Sequence, residues 1–143
     1  MPITPEELTR RMHAATPFIA TLGIEIVAGG GGEAVARLPV RPELTQDLGH
    51  PHGGVIGAFA DFICNLALRT PSVTVEYKVN FLRGAPAEAL RAEARIVREG
   101  RSIAVAQAHI FAEQTDAEDV EVALATATLA PMYREGAREK KGD

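Results

Sequence analysis

From Gly53 to Leu68 the chain is apolar on every side, interrupted only by Asp61 and Asn65. A helix without a polar face has to be buried, so the rest of the chain must enclose it. The flanking segments can do so. Val73, Val75, Tyr77, Val79 and Phe81 alternate with Thr74, Glu76, Lys78 and Asn80, the period-two pattern of a strand. Segments 88–98, 102–113 and 119–130 follow as further strands, separated by turn signals at Gly84-Ala85-Pro86, Glu99-Gly100 and Thr115-Asp116. Upstream, 22–28 (Leu22, Ile24, Ile26) and 33–40 (Ala34, Ala36, Leu38 against Val35, Arg37) read as two more. Hairpin-length links between the last four strands predict an antiparallel meander. The expected fold class is α+β, a curved antiparallel sheet wrapped around a long central apolar helix.

The remaining segments fit around this plan. Residues 4–20 read as a helix: Thr4 can cap it, Pro5 suits its first turn, Glu6 and Glu7 favour its positive end, and Pro17 should end or kink it. Gly29-Gly30-Gly31-Gly32 resembles a phosphate loop in composition, but no Gly-Lys-Ser/Thr follows and no helix opens behind it. A hairpin turn is the better reading. Residues 41–51, with two prolines, Asp47 and Gly49, form an irregular loop. The tail 134–143 has seven charged residues in ten and is expected to fray. The division is an N-terminal helix at 1–20, one domain at 21–132, and a charged tail at 133–143.

Composition excludes several classes. A chain of 143 residues is one domain. Lys+Arg 15 against Asp+Glu 19 gives a net charge of −4, without the basic surplus of a general nucleic-acid binder. The longest runs free of charged residues, 12–24 and 48–60, span thirteen residues, short of the ~20 that cross a membrane. The N-terminus, with Glu6, Glu7, Arg10 and Arg11, is unlike a signal peptide. A cytoplasmic protein with no nucleic-acid or membrane partner is expected. One cysteine, Cys64, permits no internal disulfide and no four-cysteine zinc site.

Chemistry concentrates at His50-Pro51-His52-Gly53-Gly54 and the helix behind it. Gly53 and Gly54 stand where the helix starts, so N–H groups without side-chain cover point outward, as a developing oxyanion requires. Asp61 lies about two turns further in, where an unpaired carboxylate is costly. Gly54, Gly57, Ala58, Asp61 and Asn65 share one side at helical spacing, a face of small residues around an acid. Asp61 reads as either a catalytic acid or a structural cap, and Asn65 as a partner for a buried polar group. His50 and His52, near Asp47, lack the further ligands a metal site needs. Cys64 reads as a packed core thiol. His109, among Ala108, Ile110 and Phe111, reads as a core or interface residue.

The pattern His52-Gly53-Gly54, with Asp61 nine residues after the histidine, resembles the hotdog-fold acyl-CoA thioesterases of the phenylacetate-pathway (PaaI) type. The resemblance spans roughly 20–132. It includes Val73 to Arg83, the Gly100-Arg101-Ser102 turn and Ala125-Thr126-Ala127-Thr128. It implies a hotdog fold, assembled as a homodimer or dimer of dimers with active sites at the dimer interface. Asp61 would activate or orient water as general base or act as nucleophile. The Gly53 N–H would polarise the thioester carbonyl, with His52 shaping that hole, and Thr74 would help hold the water or the carboxylate. Gln46 stands where the family commonly has Asn, and its amide can still reach the carbonyl. Gly54 and Asn65 border the substrate, and Arg83 and Arg101 are candidates for the phosphates of coenzyme A. Gly84 replaces a frequent proline, and the connection Arg69-Thr70-Pro71-Ser72 is shorter than is common.

The implied function is hydrolysis of an aryl- or fatty-acyl-CoA to free acid and coenzyme A, without metal or other cofactor. Its rivals are a non-catalytic acyl-CoA binder or sensor and a hotdog-fold hydratase or dehydratase.

Overall fold

The computed structural model describes residues 2–68 and 70–132; the charged tail and Arg69 lie outside them. Two helices, α1 (Pro5–Ala15) and α2 (Pro17–Leu22), precede strands β1 (Glu25–Ala28) and β2 (Glu33–Pro39). A 3-10 turn at Pro42–Leu44 leads to the central helix α3 (Gly53–Ala67). Then come β3 (Ser72–Phe81), β4 (Ala89–Glu99), β5 (Ala104–Glu113) and β6 (Val120–Pro131). The expected N-terminal helix is broken at Thr16, because the Pro17 ring cannot supply the N–H that would continue it.

The six strands form one antiparallel sheet in the order β1-β2-β4-β5-β6-β3. The meander expected of the last four strands therefore holds only from β4 to β6. Strand β3 pairs with β6 at the far edge, and the chain crosses back through residues 82–88. The reason is that β4 already has both sides taken, by β2 and β5. That link is also longer than the two to five residues of an ordinary hairpin.

Strands β2 to β6 all contact α3. The inner face of the sheet is rich in alanine, including the buried Ala36, Ala92, Ala106, Ala108, Ala125 and Ala127. Small side chains there let α3 press close, and Phe59 and Ile63 fill the layer with no exposed surface. Both ends of α3 are capped. At its C-terminus the four-glycine turn, a hairpin as expected, donates Gly30 N–H to Leu66 O (3.1 Å) and Gly32 N–H to Ala67 O (3.0 Å). Gly30 and Gly32 have φ of 87° and 96°, and a Cβ at Gly29 would meet Leu66 Cγ at 2.9 Å.

The outer face is charged. Arg37 pairs with Glu113, and Arg91 reaches Glu93, Glu113 and Asp119. His109 also stands on this face, not in the core. Ala108 and Ile110 turn inward, so strand alternation sends His109 outward to Glu121 (2.6 Å) and the Phe111 ring.

Partly exposed ion pairs contribute about 0–1 kcal/mol each, so stability rests on the α3 layer. Phe59→Ala should cost about 3–5 kcal/mol in urea unfolding, and Arg37→Ala no more than about 1 kcal/mol. Equal losses would place the stability in the outer ion pairs instead.

Candidate active site

Ahead of α3 the chain folds on itself through a bridge between Thr45 and Pro51. Gln46 closes this loop: its Oε1 accepts from Leu48 N–H (2.5 Å) and His50 N–H (3.2 Å). Among the described residues its Nε2 has no partner and can still donate. His52 caps α3, its Nδ1 accepting from Gly54 N–H at 2.8 Å. The proton of the neutral ring is therefore on Nε2. The next N–H groups, Val55 and Ile56, go to His52 O. Of the two glycines, only Gly53 keeps an N–H without a partner among the described residues, as the first position of a helix leaves it. His50 packs on the Gly84 backbone, where a Cβ would come within 2.8 Å of its Nδ1. Glycine in the place of a frequent proline thus makes room for that ring.

Asp61, half-buried, forms a second polar group with Asn65 and Thr74. Thr74 donates its hydroxyl to Asp61 Oδ1 at 2.5 Å. Asn65 Nδ2 reaches Asp61 O (2.9 Å), Asp61 Oδ1 (3.3 Å) and Thr74 Oγ1 (2.8 Å), while Ser72 donates to Asn65 Oδ1 (2.6 Å). Both hydrogen bonds to the carboxylate fall on Asp61 Oδ1, and its Oδ2 is unengaged among the described residues. Asn65 therefore orients the acid, beyond satisfying itself.

A break in the strand makes this possible. Opposite β6, Thr74 faces Leu129 and Glu76 faces Thr128, so Val75 is an extra residue. Such a bulge switches which residues face inward. Before it, Ser72 and Thr74 turn to α3; after it, Tyr77 and Val79 do. The Tyr77 hydroxyl comes within 3.6 Å of where a Cβ on Gly57 would stand.

Asp61 and Thr74 border a cavity of about 800 Å³ between α3, the start of β3 and the α1–α2 pair. Thr70 Oγ1 is buried on its wall without a hydrogen-bond partner among the described residues. Alternation had marked Tyr77 only as a strand residue, and α1 and α2 carried no expected role. Neither wall is signalled in the sequence, because each depends on how distant segments meet.

The expected site residues fall into two groups. Asp61, Asn65 and Thr74 touch one another, whereas Gln46, His52, Gly53 and Gly54 stand at the other end of α3. Eight residues of helix separate Gly53 from Asp61 by about 12 Å. Arg83 follows β3 at the Gly53 end, where Phe81 lies 3.4 Å from the position of a Gly53 Cβ. Arg101 lies in the β4–β5 turn at the opposite end of the sheet, and both arginines are exposed.

Known proteins are similar to this chain in sequence and fold. The family model of the thioesterase superfamily matches residues 48–118. A thioesterase family protein from Silicibacter pomeroyi is 34% identical, with a TM-score of 0.78 over 85% of this chain and 93% of that one. A mutant of the phenylacetic acid degradation protein PaaI from Thermus thermophilus is 29% identical, with a TM-score of 0.72 over 81% and 99%. Human acyl-coenzyme A thioesterase 13 is 27% identical over 105 residues, 68% of this chain and 75% of that protein.

Cys64, on α3, has a thiol pushed up from 9.0 to about 12, first by burial and then by the charge of Asp61. Below pH 9 the folded and unfolded chains both keep this proton; between 9 and about 12 only the unfolded chain gives it up, so this contribution to stability fades across that window. Iodoacetamide at pH 8 should label Cys64 only after unfolding. Labelling of the folded protein at the rate of a free thiol would show an open site.

Proposed function

Because the chain belongs to the thioesterase superfamily, as a thioester hydrolase of PaaI-type hotdog fold, we propose that it cleaves an acyl-CoA to the free acid and coenzyme A. The similarity to human acyl-coenzyme A thioesterase 13 supports the choice of coenzyme A as the thiol. The observation that carries the mechanism is the partition of α3. The start of the helix offers, at Gly53, an N–H without a partner among the described residues, and its interior offers, at Asp61, an acid whose Oδ2 is unengaged among them.

About 12 Å apart along one helix, the two cannot act on the same carbonyl. Two antiparallel copies of α3 would bring Gly53 of one chain beside Asp61 of the other, giving two equivalent sites. The β3 edge supports such pairing. It carries exposed Val73, Val75, Tyr77 and Phe81, and nothing pairs with it among the described residues. Long apolar edges of this kind join other strands.

In the reaction, Gly53 N–H donates to the thioester oxygen, with Gln46 Nε2 as a second donor within the same loop. Asp61 Oδ2 takes a proton from water as the water oxygen bonds to the carbonyl carbon. The oxyanion then collapses, the C–S bond breaks, and the coenzyme A thiolate leaves to be protonated. Thr74 and Asn65 hold Oδ1 and so aim Oδ2. The step calls on no metal or redox group, coenzyme A being part of the substrate. Arg83 and Arg101, at opposite ends of one chain, come to the same end of a site only across two chains, where they would meet the phosphates.

Thiol release over a panel of aryl- and fatty-acyl-CoAs tests the reaction, and its absence throughout would overturn it. Asp61→Asn should lower kcat by ~10²–10⁴ with the fold intact. Gly53→Pro removes the N–H at a position where proline suits a helix start, and His52, at φ −65° and ψ 139°, already has the conformation proline demands of its neighbour. Its loss in kcat should be ~10²–10³, while Gly53→Ala keeps most activity. Mixing the two inactive variants tests the shared site: a mixed dimer regains one intact site, whereas sites confined to one chain regain none.

A further inference from the structure

We propose that Ser72 is a positioning residue, which fixes the Asp61 carboxylate from the far end of a one-way chain of hydrogen bonds through Asn65 and Thr74. The inference rests on the reading of this protein as an acyl-CoA hydrolase and adds to it a residue that acts on the acid only through others.

Helix and strand meet here in matching steps. Asp61 and Asn65 stand about one turn apart on α3, a rise of about 6 Å. Ser72 and Thr74 stand two residues apart on β3, a rise of about 6.6 Å. The chain turns back between Ala67 and Ser72, so Asp61 meets Thr74 while Asn65 meets Ser72.

The direction of the chain follows from which atoms can donate. Asn65 Oδ1 carries no hydrogen, so Ser72 Oγ donates across the 2.6 Å between them. Asn65 Nδ2 cannot accept, so it donates to Thr74 Oγ1 at 2.8 Å. That leaves the Thr74 hydrogen for Asp61 Oδ1 at 2.5 Å, and an ionised carboxylate only accepts. The amide cannot turn over, because its oxygen would then face Asp61 O and Oδ1 with no hydrogen between them. Each donor polarises the next, so the first link strengthens the last.

Ser72 is that first link, the one donor to Asn65 Oδ1 among the described residues. Without it the amide oxygen is left unpaired beside the cavity, where water competes for it. An amide that swings toward that water withdraws Nδ2 from Thr74 and loosens Oδ1, on which the aim of Oδ2 depends. Ser72 itself is placed by backbone bonds. It opens β3 opposite Pro131, and the preceding Pro71 O accepts from Met132 N–H at 2.7 Å. Loss of its hydroxyl therefore leaves the strand in register.

Ser72→Thr and Ser72→Val test this, since the two new side chains share a shape and differ in the hydroxyl. Ser72→Val should lower kcat about 3–10-fold, the worth of one side-chain hydrogen bond, with KM within about twofold of the unsubstituted protein. Ser72→Ala, which adds no bulk, should match it, and Ser72→Thr should keep most of the activity. In an Asn65→Ala background Ser72→Val should change kcat no further, because the chain is already broken. The carboxyl carbon resonance of Asp61 in NMR spectra reads the same chain without turnover. It should move in Ser72→Val and Ser72→Ala and return in Ser72→Thr. Undiminished kcat in Ser72→Val and Ser72→Ala, or a full further loss in the Asn65→Ala background, would overturn the proposal while leaving the hydrolase reading intact. If no acyl-CoA releases thiol at all, that reading falls and the resonance decides. Unmoved by the loss of the hydroxyl, it overturns the chain as well; moved and then restored by threonine, it upholds Ser72 as the residue that orders the carboxylate.

Discussion

The enclosure of α3 governs this molecule. A fifteen-residue helix with no polar face is tolerable only where five strands contact it and both of its ends are hydrogen-bonded from outside. The cap at its start comes from the His52 ring, and the cap at its finish from the glycine turn of the β1–β2 hairpin. A sheet can wrap only part of a cylinder, so one flank of the helix remains to be covered by something else. Asp61, Asn65 and the small residues Gly57 and Ala58 lie along that flank. A carboxylate is affordable there because Thr74 and Asn65 hydrogen-bond it and because the flank is not sealed by the sheet.

That arrangement ties chemistry to distance. A helix start is a natural donor site, and a helix interior is a natural place to hold an acid rigidly. Placing both on one straight helix separates them by its rise. The bulge at Val75 then acts on the acid end alone. It turns Thr74 onto the Asp61 carboxylate while keeping Tyr77 and Val79 against the helix further along. An unbroken strand would have had to choose one of these sets.

Much of this was readable from residues. An all-round apolar run can only be a buried helix, so α3, its acid and its leading glycines were visible at once. The strands β3 to β6 followed from alternation and turn residues. Strand order was not legible, because pairing depends on which edge is vacant and no local pattern records that. The bulge was hidden for a related reason. Val73 to Phe81 alternate without a slip, and the extra residue exists only relative to β6. Helix position alone leaves both glycines as donors, and only the resemblance singled out Gly53; the physical difference between them comes from the His52 ring, which takes the Gly54 N–H. Of the two places open to His109, core or interface, the core falls away, because apolar neighbours along a strand say little about the face on which a residue stands. The cavity needed α1, α3 and β3 together, segments remote from one another in the chain.

The alanine face of the sheet has a consequence for how such a domain can diversify. With side chains that small, helix and sheet are already in contact, and no space for a guest remains between them. Whatever this protein encloses must lie on the far side of α3, against α1, none of whose residues is buried, and α2, which gives Ile19 and Leu22 to the core. Changes in α1 can therefore redraw the shape of the enclosed space without disturbing the layer that keeps the domain folded, whereas changes at Ile19 or Leu22 of α2 reach into it. Stability and the shape of the enclosed space are thus separable in α1 and coupled in α2, where Ile19 serves both.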